Sequence, residues 1–264
     1  MERSVKPSPE RAPEVRILPP AQKEDPAMNV LVVGKETEPL LTKLRKFPSL
    51  PLVTQNPDLI ITYGGDGTLL YAENLYPGIP KLPIRRSIHC EKCSTLEEDV
   101  ILTKLANGEL KQKGFPKLQV SYQDQTYVAM NDCIIRNAVP YAAVRLYVSL
   151  NGNRVTGDVI GDGVVAATPF GSSGYFQSIT RKSFKENFGL AFNNPTKLFE
   201  PIYFNETERI TVTITRGPAQ LAYDNAPKVF PLTAGAEVGI QASPLYAYLM
   251  EIDNLHNTES SIWT

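Results

Sequence analysis

Apolar positions follow two rhythms along the chain. The compact run Asn29-Val-Leu-Val-Val33 reads as a buried strand that stops at Gly34. Leu40, Leu41 and Leu44 then recur at helical spacing within 36–47, and Pro48 and Pro51 break that helix. A second apolar run, Leu59 to Tyr63, is opened by Pro57 and stops at Gly64-Gly65. A helix is predicted from Thr68 to Tyr76, ended by Pro77-Gly78, followed by a short strand at 81–84. Ser94-Thr-Leu-Glu97 has the spacing of a capping box. It would open a helix carrying Leu96, Val100, Ile101 and Leu105, closed by Asn107-Gly108. Strands alternating with helices predict a parallel α/β unit.

The rhythm changes near Lys117. Short strand-like runs recur at 118–122, 126–131, 142–150, 154–160, 164–168, 209–215, 220–223, 237–242 and 245–252, with no long helix among them. Asn151-Gly152, between two such runs, is a hairpin signal, because both residues tolerate the positive φ that a tight turn demands. The expected architecture is an α/β N-terminal domain over 28–113 and an all-β C-terminal domain over 114–253. Residues 1–27, with Pro7, Pro9, Pro13, Pro19, Pro20 and Pro26 among mixed charges, read as a disordered tail, and 254–264 as a polar one.

Composition narrows the function classes. With 264 residues, 42% hydrophobic and 21% charged, the chain has ordinary globular proportions and a sizeable core. A formal net charge of -1 supplies no general field for nucleic acid or an anionic membrane, so neither is expected as a partner. No apolar run has transmembrane length, and the amino terminus lacks the apolar core of a signal peptide, which predicts a cytoplasmic protein. Three cysteines do not describe a disulfide framework. His89-Cys90-Glu-Lys-Cys93 is half of a zinc motif, but only Cys133 and His256 remain to complete it. Surface or partly buried thiols are the expectation there.

Two stretches carry candidate chemistry. Gly64-Gly65-Asp66-Gly67-Thr68 lies between a predicted strand and a predicted helix. Without Cβ atoms its amides can approach a ligand closely, and amides converging at a helix N-terminus attract anions. A carboxylate in such a loop repels phosphate unless Asp66 takes a proton from an attacking hydroxyl or holds a metal against the phosphates. The competing reading is a strand–helix turn with an Asp cap. The second stretch, Ile160-Gly-Asp-Gly through Thr168-Pro-Phe-Gly-Ser-Ser-Gly-Tyr175, brackets a buried strand with a loop of small and hydroxyl residues. Such a loop lets a flat ligand approach the backbone, with Tyr175 as a stacking face.

Taken together, the two stretches resemble the NAD kinase family. Its members carry a GGDGT loop, an Asn-Glu pair, a TPTGSTAY-type loop and a late Asp in a strand–turn. Here the matching residues are Gly64–Thr68, Asn131-Asp132, Thr168 to Tyr175, and Asp224. The resemblance implies a Rossmann-like N-terminal domain of the phosphofructokinase-like superfamily and an all-β second domain. It also implies phosphoryl transfer from ATP or polyphosphate, with magnesium or another divalent cation, to the 2′-hydroxyl of the adenosine ribose of NAD, in a homodimer or homotetramer. By the same resemblance Asp66 is the catalytic base and Gly64, Gly65, Gly67 and Thr68 hold phosphates. Asn131 and Asp132 contact adenosine, Asp162 the nicotinamide end, and Ser173, Gly174 and Tyr175 line the dinucleotide site. Asp224 stands near the reacting phosphate, and no protein metal cage is implied.

The chain also departs from the pattern. Asp132 replaces Glu, Phe170 a small or polar residue, and Gly174 the usual Ala. Leu82-Pro-Ile-Arg-Arg-Ser87 and Thr180-Arg-Lys-Ser183 stand where glycine-bearing segments are expected. The rival readings are a lipid kinase of the same superfamily and a non-catalytic NAD(P)-binding sensor.

Overall fold

The computed structural model describes residues 27–86, Cys90 and 92–251. The expected terminal tails, Ala27 excepted, and His89 of the half zinc motif lie outside these residues. The elements in chain order are β1 (Val30–Gly34), α1 (Glu38–Leu44), β2 (Leu59–Gly64), α2 (Asp66–Leu75), β3 (Lys81–Arg85) and α3 (Glu98–Ala106). Then follow β4 (Lys111–Tyr122), β5 (Gln125–Ala129), β6 (Asp132–Asn137), β7 (Val144–Leu150), β8 (Asn153–Arg154), β9 (Val159–Gly161) and β10 (Gly163–Ala167). After a 3-10 turn at Gly171–Ser173 come α4 (Tyr175–Thr180), β11 (Phe188–Asn193), β12 (Ile202–Phe204), β13 (Arg209–Arg216), β14 (Ala219–Tyr223), β15 (Phe230–Leu232) and β16 (Glu237–Glu251).

Among the described residues these strands form a mixed ten-stranded sheet and a separate, wholly antiparallel six-stranded sheet. The mixed sheet begins as the predicted α/β unit: β1, β2 and β3 run parallel, Val30 opposite Leu59 and Ile60 opposite Lys81. One face of that unit buries Leu59, Ile61, Leu82 and Ile84 against Leu40 and Leu44 of α1 and Ile101, Leu102 and Leu105 of α3. Lys43 on α1 pairs with Glu98 at 2.9 Å and Asp99 at 3.2 Å on α3, tying the two helices on that face.

The remainder is a sandwich. Alternate residues of β4, β7, β13 and β16 (Leu118, Val120, Leu146, Val148, Ile210, Val212, Val238, Ile240) interdigitate with those of β6, β10, β11 and β14 (Ile135, Val164, Leu190, Leu221). That is the period-two pattern expected where two sheets share a core. The hairpin at Asn151-Gly152 forms as its sequence predicts, with φ of 50° and 80°.

Several elements differ from the sequence reading. The predicted strands 237–242 and 245–252 are one strand, β16, with a bulge between Ala242 and Tyr246. Beyond the bulge, β16 pairs with β4 from Lys111 to Pro116 and joins β3 in parallel at Leu249 opposite Lys81. The last strand therefore runs from the sandwich into the α/β unit, and β4 runs alongside it. The capping box does not form. Ser94 Oγ accepts the Leu96 N–H at 3.1 Å, and α3 starts only at Glu98. Cys90 and Cys93 are not thiols but a buried disulfide.

Where α2 meets β4 and β16, Glu73 accepts hydrogen bonds from both Lys81 and Lys117, all three buried. Lys81 also donates to the Tyr76 carbonyl at 2.6 Å. Burial drives the Lys81 ammonium below its usual proton affinity, and the Glu73 carboxylate works against that. Directly beside this triad, Leu69 and Leu70 of α2 pack on Phe115, Met130, Phe170, Ala247 and Leu249. This small apolar seam is the floor of the site.

Candidate active site

Asp66 stands in the first turn of α2, which starts two residues earlier than predicted. Gly65 precedes it as an extended N-cap, and the Gly65 carbonyl accepts the Thr68 and Leu69 amides at 2.9 and 3.3 Å. The opening amides of a helix have no partner within it, so this turn offers donors to an anion. Thr68 folds its side chain back onto Gly64, where a Cβ would stand 2.3 Å from Thr68 Oγ1. Gly64 is therefore needed for the turn itself. From the other sheet, Asn225 reaches across to donate to the Gly67 carbonyl at 2.8 Å.

The second motif is built on β6 and β10, neighbours in the antiparallel sheet with Asp132 opposite Ala167. Thr168 holds them together beyond that pair. Its amide donates to the Asn131 carbonyl at 3.0 Å, its hydroxyl donates to the Met130 carbonyl at 2.7 Å, and the same oxygen accepts the Gly171 amide at 3.0 Å. Gly171 passes so close to Asn131 that a Cβ there would lie 2.0 Å from the Asn131 carbonyl oxygen. Asp224, at φ 44° after β14, clamps the other side of the same segment. Its carboxylate accepts the amides of Met130 at 2.8 Å, Asn131 at 2.7 Å and Asp132 at 3.2 Å. Asn131 is thus fixed from both sides, and Ser173 and Gly174 are set facing it.

Asp66, Asn131, Ser173 and Gly174 meet around one cavity, together with Leu70, Lys92 and Phe170. Four of the sequence-predicted residues are therefore neighbours although the motifs lie far apart in the chain. Lys92 was not legible in the sequence. Its ammonium donates to the Phe170 carbonyl at 2.6 Å and Ser173 Oγ at 2.8 Å, and its amide donates to Asp66 Oδ1 at 3.1 Å. The Phe170 ring lies beneath that ammonium at 4.5 Å, so the apolar departure from the family pattern faces a cation. The cavity encloses about 40 Å³, room for a few waters and far below the several hundred Å³ typical of cofactor pockets.

Other expected residues stand elsewhere. Asp132 is buried behind the cavity with its carboxyl beside Asp224. Burial and the neighbouring Asp224 charge push its pKa up to about 7. Asp224 is also raised by burial, but its three amide donors and Lys117 oppose that. The pair's proton accordingly resides on Asp132 near neutral pH, and Asp224 keeps the charge its three donors stabilise. Asp224 acts here as a clamp on the Met130–Asp132 backbone. Tyr175 opens α4 half-buried, its hydroxyl accepting a hydrogen bond from Asn193 Nδ2 at 3.0 Å. Asp162 is not brought to the cavity. It stands at the far end of β10, accepting a hydrogen bond from Asn194 Nδ2 at 3.1 Å. Six residues separate it from Thr168, about 20 Å of extended chain at ~3.3 Å each.

Arg85 and Arg86, in the segment that departs from the family pattern, are both engaged. Arg85 donates to the Cys90 carbonyl at 2.7 Å, and Arg86 pairs with Glu36. No group of three or more His, Cys, Asp or Glu side chains suited to a metal exists among the described residues, and no helix is long and apolar enough to cross a membrane.

A parallel three-stranded unit with a glycine-rich turn at a helix start, facing an antiparallel sheet across a small cavity, defines a two-sheet α/β-plus-sandwich fold. Its fold matches that of yeast NADH kinase complexed with NADH at a TM-score of 0.74 and 18% identity, covering 94% of this chain and 95% of that one. An NAD kinase from Archaeoglobus fulgidus in complex with ATP matches at 0.72 and 21% identity, over 86% and 95%. In sequence, an NAD kinase of Saccharolobus islandicus is 28% identical over 218 residues, 80% of this chain and 83% of its own length. An NAD kinase of Saccharolobus solfataricus is 32% identical over 162 residues, 58% and 63% of the two chains. No family model matches the chain. In sequence and in fold the chain is thus similar to NAD kinases over most of its length.

Proposed function

We propose that the protein is an NAD kinase, forming NADP by phosphorylating the 2′-hydroxyl of the adenosine ribose. The observation that carries this is the convergence of Asp66 with Asn131, Ser173 and Gly174 on one cavity. Asp66 takes the hydroxyl proton as the ribose oxygen attacks the terminal phosphorus of the donor, and the bond from that phosphorus to the leaving phosphate breaks. Gly64, Gly65, Gly67 and Thr68 shape the turn whose amides hold the donor phosphates. Asn131, backed by the buried Asp132, addresses the adenosine, and Ser173, Gly174 and Tyr175 the rest of the dinucleotide. The site works mainly by positioning and by placing dipoles against phosphate charge.

ATP or polyphosphate is the donor. A divalent cation such as magnesium would ride on the donor phosphates, touching few protein carboxylates. The α/β unit handles the donor and the sandwich the dinucleotide, with the division near residue 113 falling inside β4, so the two are joined by continuous strands. We read the assembly as a homodimer or homotetramer in the cytoplasm.

The test is Asp66→Asn assayed with NAD, NADH and a diacylglycerol as acceptors and ATP or polyphosphate as donors. Wild-type protein is expected to phosphorylate a dinucleotide and not the lipid. The variant is expected to lose on the order of 10²–10⁴-fold in turnover while still binding NAD, the range for removing a general base. Full activity of the variant would refute Asp66 as the base, and lipid phosphorylation would refute the substrate class.

A further inference from the structure

Cys90 and Cys93 form a disulfide with Cα atoms 5.5 Å apart, both residues buried. Nothing in the phosphate turn or the dinucleotide loop calls for it. Its position gives it consequence. Cys90 Sγ lies 3.2 Å from Asp66 Oδ1, the same oxygen that accepts the Lys92 amide. A disulfide sulfur has no hydrogen to donate, so this contact occupies space where a substrate hydroxyl would approach. Lys92 is enclosed between the bonded cysteines. Its side chain crosses to the other sheet's loop at Phe170 and Ser173, and Arg85 anchors the Cys90 carbonyl from β3. The cavity left beside Asp66, about 40 Å³, admits water but no ribose.

We propose that Cys90–Cys93 is a reversible thiol–disulfide modification site that governs access to Asp66. Oxidised, the pair holds Lys92 across the cavity and covers the carboxylate; reduced, it releases that turn and opens the site to the ribose. The inference rests on the proposed dinucleotide site beside Asp66. The co-reactant is a dithiol. One of its thiolates attacks a sulfur of the pair, forming a mixed disulfide and expelling the other cysteine as thiolate. The second thiol of the reductant then displaces the first cysteine and closes a cyclic disulfide. Two electrons pass to the protein, and two protons end on Cys90 and Cys93. Because both sulfurs are buried, exchange requires local opening of the turn, and long incubation in the reductant is the appropriate condition. The remaining thiol, Cys133, is buried in β6 and pushed far above the usual thiol range by burial, which makes it inert as a resolving partner.

The experiment compares the full chain oxidised, the full chain reduced by prolonged dithiothreitol, and Cys90→Ser/Cys93→Ser, with thiol content measured by alkylation and mass spectrometry. NAD affinity by calorimetry and kcat/KM for NAD are read in each. Reduction is expected to improve both by at least about fivefold, the low end of an ordinary coupling between sites, and the double variant should match the reduced protein and ignore dithiothreitol. Should the double variant fail to fold, the oxidised and reduced wild-type proteins still decide. Equal NAD affinity in both states, absence of binding in both, or tighter binding by the oxidised form overturns the proposal. A redox difference in binding without turnover in any form upholds it and refutes the kinase reading instead.

Discussion

The carboxyl of Asp132 offers a quantitative test of the site's electrostatics. It is only 5% exposed, stands beside the Asp224 carboxylate, and receives no more than a 3.4 Å contact from Asn131 Nδ2. Its pKa rises from 3.8 to about 7 in the folded protein. Between those values the folded chain holds a proton the unfolded chain has released, so stability must fall as pH rises across that window and level off above about 7. Linkage applied to those two values gives a loss of roughly 2 kcal/mol between about pH 5.5 and about pH 8.5. Asp132→Asn keeps the shape and an acceptor for Asn131 but cannot ionise. The assay is urea unfolding of both proteins at those two pH values, read by far-ultraviolet circular dichroism. Wild type should lose about 2 kcal/mol on going to the higher pH. The variant should lose clearly less, keeping only what Asp224 and other groups contribute with the same sign. Comparing slopes removes any pH-independent cost of the substitution. Wild-type stability that is flat or rising over the window, or a variant with the wild-type slope, would refute the assignment of the pair's proton to Asp132.

Two further substitutions probe how Asn131 is held. Asp224→Ala leaves the amides of Met130, Asn131 and Asp132 without their acceptor, and should cost on the order of 2–4 kcal/mol in urea unfolding, partly offset by removal of a desolvated charge. Asp224→Asn retains an acceptor and should lose less; equal losses would contradict the clamp. Gly171→Ala places a methyl 2.0 Å from a backbone oxygen that cannot yield, so the β6 and β10 loops must separate. A loss of about 1–3 kcal/mol together with a raised KM for NAD is expected, and an unchanged melting temperature with unchanged KM would show that the approach is not tight.

What the sequence made legible follows from the range of the forces involved. β1, β2 and β3 were read correctly because a buried parallel strand must be a short apolar run and its helices must carry a leucine stripe, both local features. The hairpin at Asn151-Gly152 was equally local. Other elements were hidden for the same reason inverted. β6 (Asp132–Asn137) was not read from sequence, and the predicted strand 126–131 stops at Ala129 as β5, where Asp224, 92 residues from Asp132, holds the Met130–Asp132 segment between the two strands. The unity of β16 was masked by the Ala242–Tyr246 bulge, where Ser243-Pro244 looks like a turn until β4 is seen pairing on both sides. Within the site, Asp66, Asn131, Ser173 and Gly174 could be named because motif and chemistry coincide in them. Lys92 could not, since a lysine in a Cys-Glu-Lys-Cys segment carries no mark of which carbonyl it will reach. The strand that carries Asp162 shows the limit of motif spacing. An extended strand keeps two residues in fixed order while setting them ~20 Å apart, so the distance in sequence that matched the family loop said nothing about a shared cavity. What does bring distant residues together here is the long pair β4–β16. By running through both the α/β unit and the sandwich, it fixes α2, and with it Asp66, against the seam that also seats Met130 and Phe170. Asp66 is therefore positioned by packing that no local motif encodes.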